Sequence, residues 1–103
     1  MAHRVVWSPT ALEDVEAIAS YIARDSSHYA AAVVRRLVKA SRQLNLFPES
    51  GRPVPELEDD SFRELVLSPY RLIYRVERSV VTIAAVVHEK QSFEADVDRL
   101  RSR

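Results

Sequence analysis

The first half of the chain repeats apolar side chains at the spacing of an α-helix. After a short β-branched run at residues 3–7, Ser8 and Pro9 predict a helix start, because a serine hydroxyl accepts an unpaired backbone N–H and proline suits the first helical position. Apolar residues then recur at helical spacing, at Leu12, Val15, Ile18, Ala19 and Ile22. This stripe predicts a helix over residues 9–24, preceded by a first strand over residues 3–7.

A second helical pattern follows the polar break at residues 25–27. We expect Ser27 to cap this helix and Pro48 to end it, because proline cannot donate the backbone hydrogen bond that a continuing helix needs. Its apolar seam comprises Ala30, Val33, Leu37, Ala40, Leu44 and Phe47. The alternating spacing of three and four predicts two antiparallel helices joined by a short turn.

The second half of the chain changes to the period of two that is typical of β-strands. Strands are predicted over residues 62–67, 70–77 and 80–88, with turns at residues 68–69 and 78–79. In the middle strand one face carries Tyr70, Leu72, Tyr74 and Val76, and the other carries Arg71, Ile73, Arg75 and Glu77. The last strand is apolar on both faces, which indicates a central strand covered on both sides.

The order β-α-α-β-β-β predicts an α+β fold. We expect the helical hairpin to pack on one face of a four-stranded, mostly antiparallel sheet, with residues 52–61 as an extended surface loop. Residues 93–103 are expected to form a short C-terminal helix or a frayed tail. This tail, a second copy of the chain or another protein would cover the second face of the last strand. The length of 103 residues predicts a single domain over residues 1–103.

Composition excludes several classes of site. The chain has no cysteine, so disulfides, thiol catalysis and thiolate zinc sites are excluded, and its single glycine excludes a glycine-rich phosphate loop. The histidines are not spaced for a metal site, and we expect no metal and no cofactor. With no long apolar run, no membrane span is expected, and the expected location is the cytoplasm. Fifteen basic and fifteen acidic side chains give zero net charge, which disfavours a partner as polyanionic as ribosomal RNA.

Basic side chains on and before the predicted strands are the main candidates for function. They are Arg52, Arg63, Arg71, Arg75 and His88. His88 is either a general acid or base, or a strand-end residue bonded to a neighbouring loop. Arg71 and Arg75 either clamp phosphates and acidic groups of a partner, or pair internally with Glu64 and Glu77.

For Arg52 and Tyr74, a structural role is the favoured interpretation. Arg52, between Gly51 and Pro53, either binds a partner or fixes its loop through backbone carbonyls, with Glu56 as an internal partner. Tyr74 lies mid-strand and is expected to be a core residue whose hydroxyl reaches a polar partner, since aromatic residues on the apolar side of a strand's alternation usually face the core.

The chain resembles the RelE/ParE superfamily of type II toxins, and in particular its ParE-like or plasmid stabilization branch. The resemblance rests on VVWSPTALEDVEAIASYIARDS, LNLFPESGRPVPEL, FRELVLSPYRLIYRV and IAAVVHEKQ, which occur in the order of that family over nearly the whole chain. It implies the fold predicted above. It also implies a toxin neutralised by direct binding of a cognate antitoxin, in a toxin–antitoxin hetero-oligomer.

The resemblance leaves two mechanisms open. ParE-like members inhibit DNA gyrase without nuclease activity, whereas RelE-like members are ribosome-dependent mRNA endonucleases. In the nuclease alternative, the resemblance assigns Arg63 and Arg71 to the phosphate and His88 to acid or base catalysis. For either target or for the antitoxin, the candidate contacts are Arg52, Arg63, Arg71, Arg75, His88 and Lys90.

Two departures from the nuclease pattern favour the gyrase interpretation. Val66 or Leu67 stands where a further basic residue is expected before the Ser68-Pro69 turn, and Phe93 stands where a hydroxyl-bearing aromatic residue is expected. Phenylalanine cannot transfer a proton. A third alternative is an inactive toxin fold retained as a binding module.

Overall fold

The computed structural model describes residues 2–91 and Leu100, and it confirms the predicted α+β architecture. The strands are β1 (Arg4–Trp7), β2 (Arg52–Pro53), β3 (Phe62–Leu67), β4 (Tyr70–Glu77) and β5 (Val80–His88), and the helices are α1 (Pro9–Ala23) and α2 (Ser27–Gln43). The sheet order is β1-β5-β4-β3-β2. Among the described strands, only the β1–β5 pair is parallel, and the other pairs are antiparallel.

Over residues 2–91 the sheet has five strands, and the expectation of four was wrong. Residues 52–61, predicted to be only a loop, begin with the two-residue strand β2, which pairs Arg52 with Glu64 and Pro53 with Arg63. Proline interrupts the hydrogen bonding of a central strand but is tolerated at a sheet edge, which is where β2 lies. A strand this short carries no alternation that a sequence pattern could reveal.

The helices begin close to the predicted positions. Ser8 caps α1 by accepting the backbone N–H of Ala11 at 3.1 Å, as expected. Ser26, not Ser27, caps α2, because its hydroxyl accepts the N–H of Tyr29 at 3.0 Å. The two serines are adjacent and chemically equivalent, so composition did not distinguish them.

The second helix ends earlier than its apolar seam predicted. It stops at Gln43 with Leu44 as its C-cap, and Leu44 is fully buried. Phe47, expected on the buried seam, lies beyond the helix and is 63% exposed. The apolar spacing therefore continued past the point where the backbone leaves the helix.

Apolar residues cover both faces of the sheet. The helices cover the first face, where the core includes Leu37, Leu72, Tyr74, Val81 and Ile83. A smaller core on the second face comprises Val54, Leu57, Phe62, Ile73, Ala84, Ala85, Val87 and Leu100. Cover for the second face of β5 therefore comes from this chain, through the segment after β2 and Leu100. The other residues of the expected C-terminal helix lie outside the described part of the chain.

The pairing of β5 with β4 is irregular at one point. Ile73 of β4 pairs with Ala85 and Tyr74 pairs with Ile83, so Ala84 is an extra residue between them. The start of α1 is tied to this point, because Ser8 donates its hydroxyl to the Ala84 carbonyl at 3.2 Å. Beyond the bulge, the N–H of Val86 donates to Asp14 Oδ2 at 2.9 Å. These bonds fix α1 against the end of β5 that carries His88.

Candidate functional site

The predicted basic residues lie on both faces of the sheet. Arg63 is paired with Tyr74, and residues directly opposite each other on antiparallel strands share a face, so Arg63 lies on the helix side. Arg71 and Arg75 alternate with the helix-facing residues of β4 and lie on the second face. The sheet therefore has no single basic face that carries all of them.

A buried carboxylate organises the second face. Glu64 accepts hydrogen bonds from Arg52 Nε at 2.6 Å and from Arg71 Nε at 2.7 Å, one on each carboxylate oxygen. Arg71 also binds Glu56 through two hydrogen bonds of 2.8 and 2.9 Å. The Glu64 side chain has no exposed surface, and that of Arg71 is 11% exposed. We call Arg52, Glu56, Glu64 and Arg71 the Glu64 cluster.

Charge pairing shifts the ionisation of two members of this cluster. Hydrogen bonds from Arg71 hold the pKa of Glu56 below its ordinary value and outweigh the opposing effect of burial. The same hydrogen bonds to Glu56, with those to Glu64, raise the pKa of Arg71. The lowered pKa of Glu56 and the raised pKa of Arg71 both arise first from the hydrogen bonds between these two residues. This ion pair keeps the segment after β2 against the sheet.

The contacts of the Glu64 cluster show which internal ion pairs form. Arg71 pairs with Glu64. This is the internal pair that one of the two alternatives for Arg71 predicted. Arg52 also pairs with Glu64, so the expectation that Glu56 is its partner was wrong. Glu56 instead binds Arg71, which lies on β4. Distance along the sequence did not indicate that Glu56 and Arg71 are neighbours.

Arg75 also has neighbours within the chain. Its guanidinium lies over the Phe62 ring at 5.5 Å from the centroid, and its Nε is 3.6 Å from Glu77 Oε1. Its side chain remains 39% exposed. Arg75 is therefore more accessible than Arg71 and less strongly paired.

Arg63 and Tyr74 hold the loop that precedes β2. The hydroxyl of Tyr74 accepts the N–H of Gly51 at 2.9 Å, and Arg63 donates to the Gly51 carbonyl at 2.7 Å. A Cβ on Gly51 would lie 2.5 Å from the Glu64 carbonyl oxygen, so the close approach requires glycine. Tyr74 is a buried core residue, as predicted. The contact with a loop carbonyl that the sequence predicted for Arg52 is made by Arg63 instead.

His88 ends β5 beside a cleft on the helix side. Its ring lies 5.7 Å from that of Tyr70 in an edge-to-face arrangement, and its Nδ1 accepts the backbone N–H of Lys90 at 3.1 Å. The strand-end contact expected for a structural histidine is therefore present. Lys90 itself is exposed.

The three residues assigned to a nuclease site do not converge. His88 is paired with Tyr70 and Arg63 with Tyr74, and four residues along a strand span about 13 Å. Arg71 lies on the opposite face. Phe93, the other residue relevant to that mechanism, lies outside the described residues.

Other classes of site are also not found in the described residues. There, no three histidine or acidic side chains are grouped as metal ligands. No helix in the same part of the chain is long and apolar enough to cross a bilayer.

An apolar groove runs along the outer surface of the helical hairpin. Two adjoining clefts of about 490 and 500 Å³ share Ala19 and Val34 in their walls. One of them is also lined by Leu12, whose side chain is 55% exposed, and by Val38. We call this surface the interhelical groove.

The family model for the ParE toxin of type II toxin–antitoxin systems, parDE, matches residues 5–93. The chain belongs to the ParE toxin family. It is 39% identical over 92 residues to a protein of Sinorhizobium fredii named "Putative toxin Y4kP", and the match covers 87% of this chain and 92% of that protein. It is 37% identical over 86 residues to toxin RelE2 of Caulobacter vibrioides, covering 82% and 93% of the two chains.

Two solved structures share the fold. The chromosomal ParDE toxin–antitoxin system of P. aeruginosa matches with a TM-score of 0.71 and 22% identity, over 84% of this chain and 96% of that one. The RelBE2 toxin–antitoxin complex of Mycobacterium tuberculosis matches with a TM-score of 0.57 and 24% identity, over 85% and 92%. The resemblance deduced from the sequence is thus confirmed, and the protein is a toxin of the type II class.

The Glu56–Arg71 pair predicts a pH-dependent contribution to stability. Because folding lowers the pKa of Glu56, the stabilisation is present above the unfolded-state value, near 4.5, and is lost as pH falls through the lower folded-state value. Glu56→Gln should therefore lower the free energy of unfolding at pH 7 by at most about 1 kcal/mol, since Glu56 is partly exposed. Urea denaturation at pH 7 and at several acidic values measures this difference.

The matched control is Glu58→Gln, which removes an exposed carboxylate from the same segment. It should change stability less than Glu56→Gln at pH 7, and the Glu56→Gln deficit should shrink towards zero on acidification. An equal effect of the two substitutions, or a deficit that does not depend on pH, would contradict this account of the ion pair.

Proposed function

We propose that this toxin acts by binding DNA gyrase and is neutralised by direct binding of a cognate antitoxin. The observation that carries the proposal is the dispersal of His88, Arg63 and Arg71, combined with the match to the ParE family. A gyrase inhibitor needs a binding surface but no assembled acid, base and phosphate clamp. We further propose that it acts in the cytoplasm, where gyrase works.

The charges of the second face support a binding mode over phosphate chemistry. Cleavage of RNA by its 2′-hydroxyl requires cations directed at the phosphate together with a proton donor and acceptor. Arg71 is already hydrogen-bonded to two carboxylates, and a phosphate would have to displace Glu56 or Glu64 to reach it. The zero net charge gives no long-range attraction to RNA.

The second candidate is a RelE-like, ribosome-dependent mRNA endonuclease. It is favoured by the 37% identity to a protein named toxin RelE2. In this alternative His88, which is half-buried beside a cleft, would act as the acid or base. Arg63 and Arg71 would need different partners from those described here.

The predicted contact residues differ in how strongly contacts within the chain hold them. Arg52, Arg75, His88 and Lys90 have exposed or half-exposed side chains, and we propose that contacts to gyrase or the antitoxin come from among these four. Arg63 and Arg71 have contacts within the chain that account for their presence. For these two, a role in binding would require rearrangement of the loop or of the Glu64 cluster.

The interhelical groove is the surface that we propose for the antitoxin. Its lining is mostly apolar, with Glu16 and Arg35 as the charged residues among those described, and an amphipathic segment that binds there would bury Leu12 and Val34. Ordering such a segment costs about 2–5 kcal/mol, which the burial of a large apolar area offsets. The two toxin–antitoxin systems with the same fold support an antitoxin as the partner.

The two mechanisms predict opposite results for one purified sample. We expect the protein to block gyrase supercoiling at micromolar concentration and to leave mRNA on stalled ribosomes uncut. His88→Ala should weaken gyrase inhibition at most severalfold and keep growth arrest, because His88 is one of several proposed contacts and the proposed mechanism transfers no proton. Supercoiling gels and primer extension, run on wild type and His88→Ala in parallel, measure both.

Cuts in ribosome-bound mRNA that disappear in His88→Ala would refute the gyrase proposal and establish the nuclease. Unaffected supercoiling without cuts would also refute it and would favour the inactive binding module. Circular dichroism of His88→Ala checks that the fold is intact in either case.

A charged side chain in the interhelical groove should weaken antitoxin binding without unfolding the toxin. Leu12→Lys should weaken binding of the antitoxin encoded beside the toxin by at least about 100-fold, because a lysine ammonium would be desolvated against apolar side chains. The control is Val66→Lys, since Val66 is a similarly exposed apolar residue, 48% exposed, on β3. Isothermal titration calorimetry gives both affinities, and equal losses would exclude the groove as the principal contact.

A further inference from the structure

The two walls of the interhelical groove carry opposite charges. The helix α1 contributes Glu16 to the lining and has no basic residue in its sequence. The helix α2 contributes Arg35 and has no acidic residue. Between them the floor is apolar, and its two clefts share Ala19 and Val34. An apolar floor thus lies between one acidic edge and one basic edge.

The basic edge extends along α2. Lys39 and Arg42 follow Arg35 at spacings of four and three, so the three side chains lie on one side of the helix, and all three are exposed. The adjacent Arg36 has a different environment, because its guanidinium donates to the Ser68 carbonyl at 2.9 Å. We call Arg35, Lys39 and Arg42 the basic edge.

The acidic edge lies on α1. Glu13 precedes Glu16 by three residues, so the two carboxylates are neighbours on the helix surface, and both residues are exposed. Among the described residues, no ion pair involves Glu13, Glu16 or the basic edge. Like charges four residues apart, such as Arg35 and Lys39, slightly destabilise a helix. Contacts within the chain therefore do not explain why the charges are sorted by sign along the groove.

The dimensions of the groove suit a short helix. Its lining extends along α2 from Ser27 to Val38, which is about 16 Å or three helical turns. Small side chains line the part nearest the turn of the hairpin, including Ala23 and Ala31. Because the distance between packed helices depends on the side chains at the contact, these alanines allow a third helix to approach closely.

We propose that the interhelical groove binds an amphipathic helix of the antitoxin with its acidic flank on the basic edge and its basic flank on Glu13 and Glu16. This inference rests on the proposed function, in which the antitoxin occupies this groove. In coiled coils, charges beside an apolar seam set partner choice and orientation. Turning a helix end for end exchanges its flanks, so the two edges also fix the direction in which the antitoxin helix runs.

Other occupants use only part of this surface. A nucleic acid would pair with the basic edge, but Glu13 and Glu16 would repel its phosphates and the apolar floor would stay uncovered. An apolar helix without charged flanks would cover Leu12 and the floor and leave both edges unpaired. A second copy of the chain would bring a groove against a groove. A helix with flanks of opposite sign uses the floor and both edges.

The test uses the full chain and two fluorescent helical peptides of identical composition and identical apolar stripe. The sorted peptide has its acids on one flank and its bases on the other, whereas the mixed peptide has both on each flank. We expect a Kd about tenfold lower for the sorted peptide at low salt, measured by fluorescence anisotropy. The difference should shrink at about 0.5 M salt, since exposed charges are then screened.

The direction of binding is measured with a third peptide, in which the two flanks of the sorted peptide are exchanged. Each sorted peptide carries a nitroxide at its N-terminus and is added to ¹⁵N-labelled protein. We expect one peptide to broaden the amides near Ser27 and the other to broaden those near Leu12, because exchanging the flanks reverses the helix in the groove.

Two adjacent residues of α2 provide matched variants. Arg35→Glu reverses a charge of the basic edge and should remove the advantage of the sorted peptide. Arg36→Glu changes the net charge equally, outside the groove, and should preserve it. Arg35→Glu should likewise weaken binding of the antitoxin encoded beside the toxin about tenfold more than Arg36→Glu, measured by calorimetry. Circular dichroism checks that both variants are folded.

Equal affinity for the sorted and mixed peptides would overturn the proposal. Equal effects of Arg35→Glu and Arg36→Glu would also overturn it, since they would indicate only long-range attraction. So would two sorted peptides that broaden the same end of the groove, or a dimer of the free protein that neither peptide dissociates, which would assign the groove to a second copy. If Leu12→Lys still weakens antitoxin binding, the groove remains the antitoxin site and only the sorting of charges fails.

Discussion

The buried carboxylate of Glu64 is the constraint on which the second face of this toxin depends. A carboxylate without solvent contact is stable only when it is paired and hydrogen-bonded, and here each oxygen receives an arginine. Through these bonds Glu64, on β3, fixes side chains from β2 and β4. Arg71 then extends the network to Glu56 and so positions the segment that carries Val54 and Leu57.

This pairing changes how the basic residues of the sheet are interpreted. Arginines on strands resemble a phosphate-binding surface when only their sequence positions are known. In the folded chain, Arg71 neutralises internal acids and Arg63 holds a loop carbonyl. The second face is also partly covered by Val54, Leu57 and Leu100. The apolar and aromatic clefts bordered by the helices are therefore the more accessible surfaces for a protein partner.

Sequence patterns predicted most of the fold because the pattern and the burial have the same cause. The bounds of β3, β4 and β5 agree with residues 62–67, 70–77 and 80–88, since alternation records which side chains face each core. The strand β2 was missed because two residues carry no period. The exposure of Phe47 was missed because apolar spacing does not reveal where the backbone turns away.

The candidate site was predictable in its residue types but not in its pairings. Alternation placed Arg71 on the face opposite Tyr74, but which acid meets which arginine depends on how three strands and a loop lie side by side. One signal was available: Glu64 is in phase with the buried Phe62, and an acid at a core position requires a cation. The cleft beside His88 is lined by residues from four elements, and no local pattern links them.

The most direct test of this account compares the unfolding free energies of Glu64→Gln and Arg52→Ala by urea denaturation at pH 7. Glu64→Gln leaves Arg71, which is nearly buried, without its buried counter-ion, and should cost about 3 kcal/mol. Arg52→Ala removes an exposed partner, 62% accessible, and should cost less than about 1 kcal/mol. A loss for Glu64→Gln no larger than that for Arg52→Ala would contradict the central role of this carboxylate.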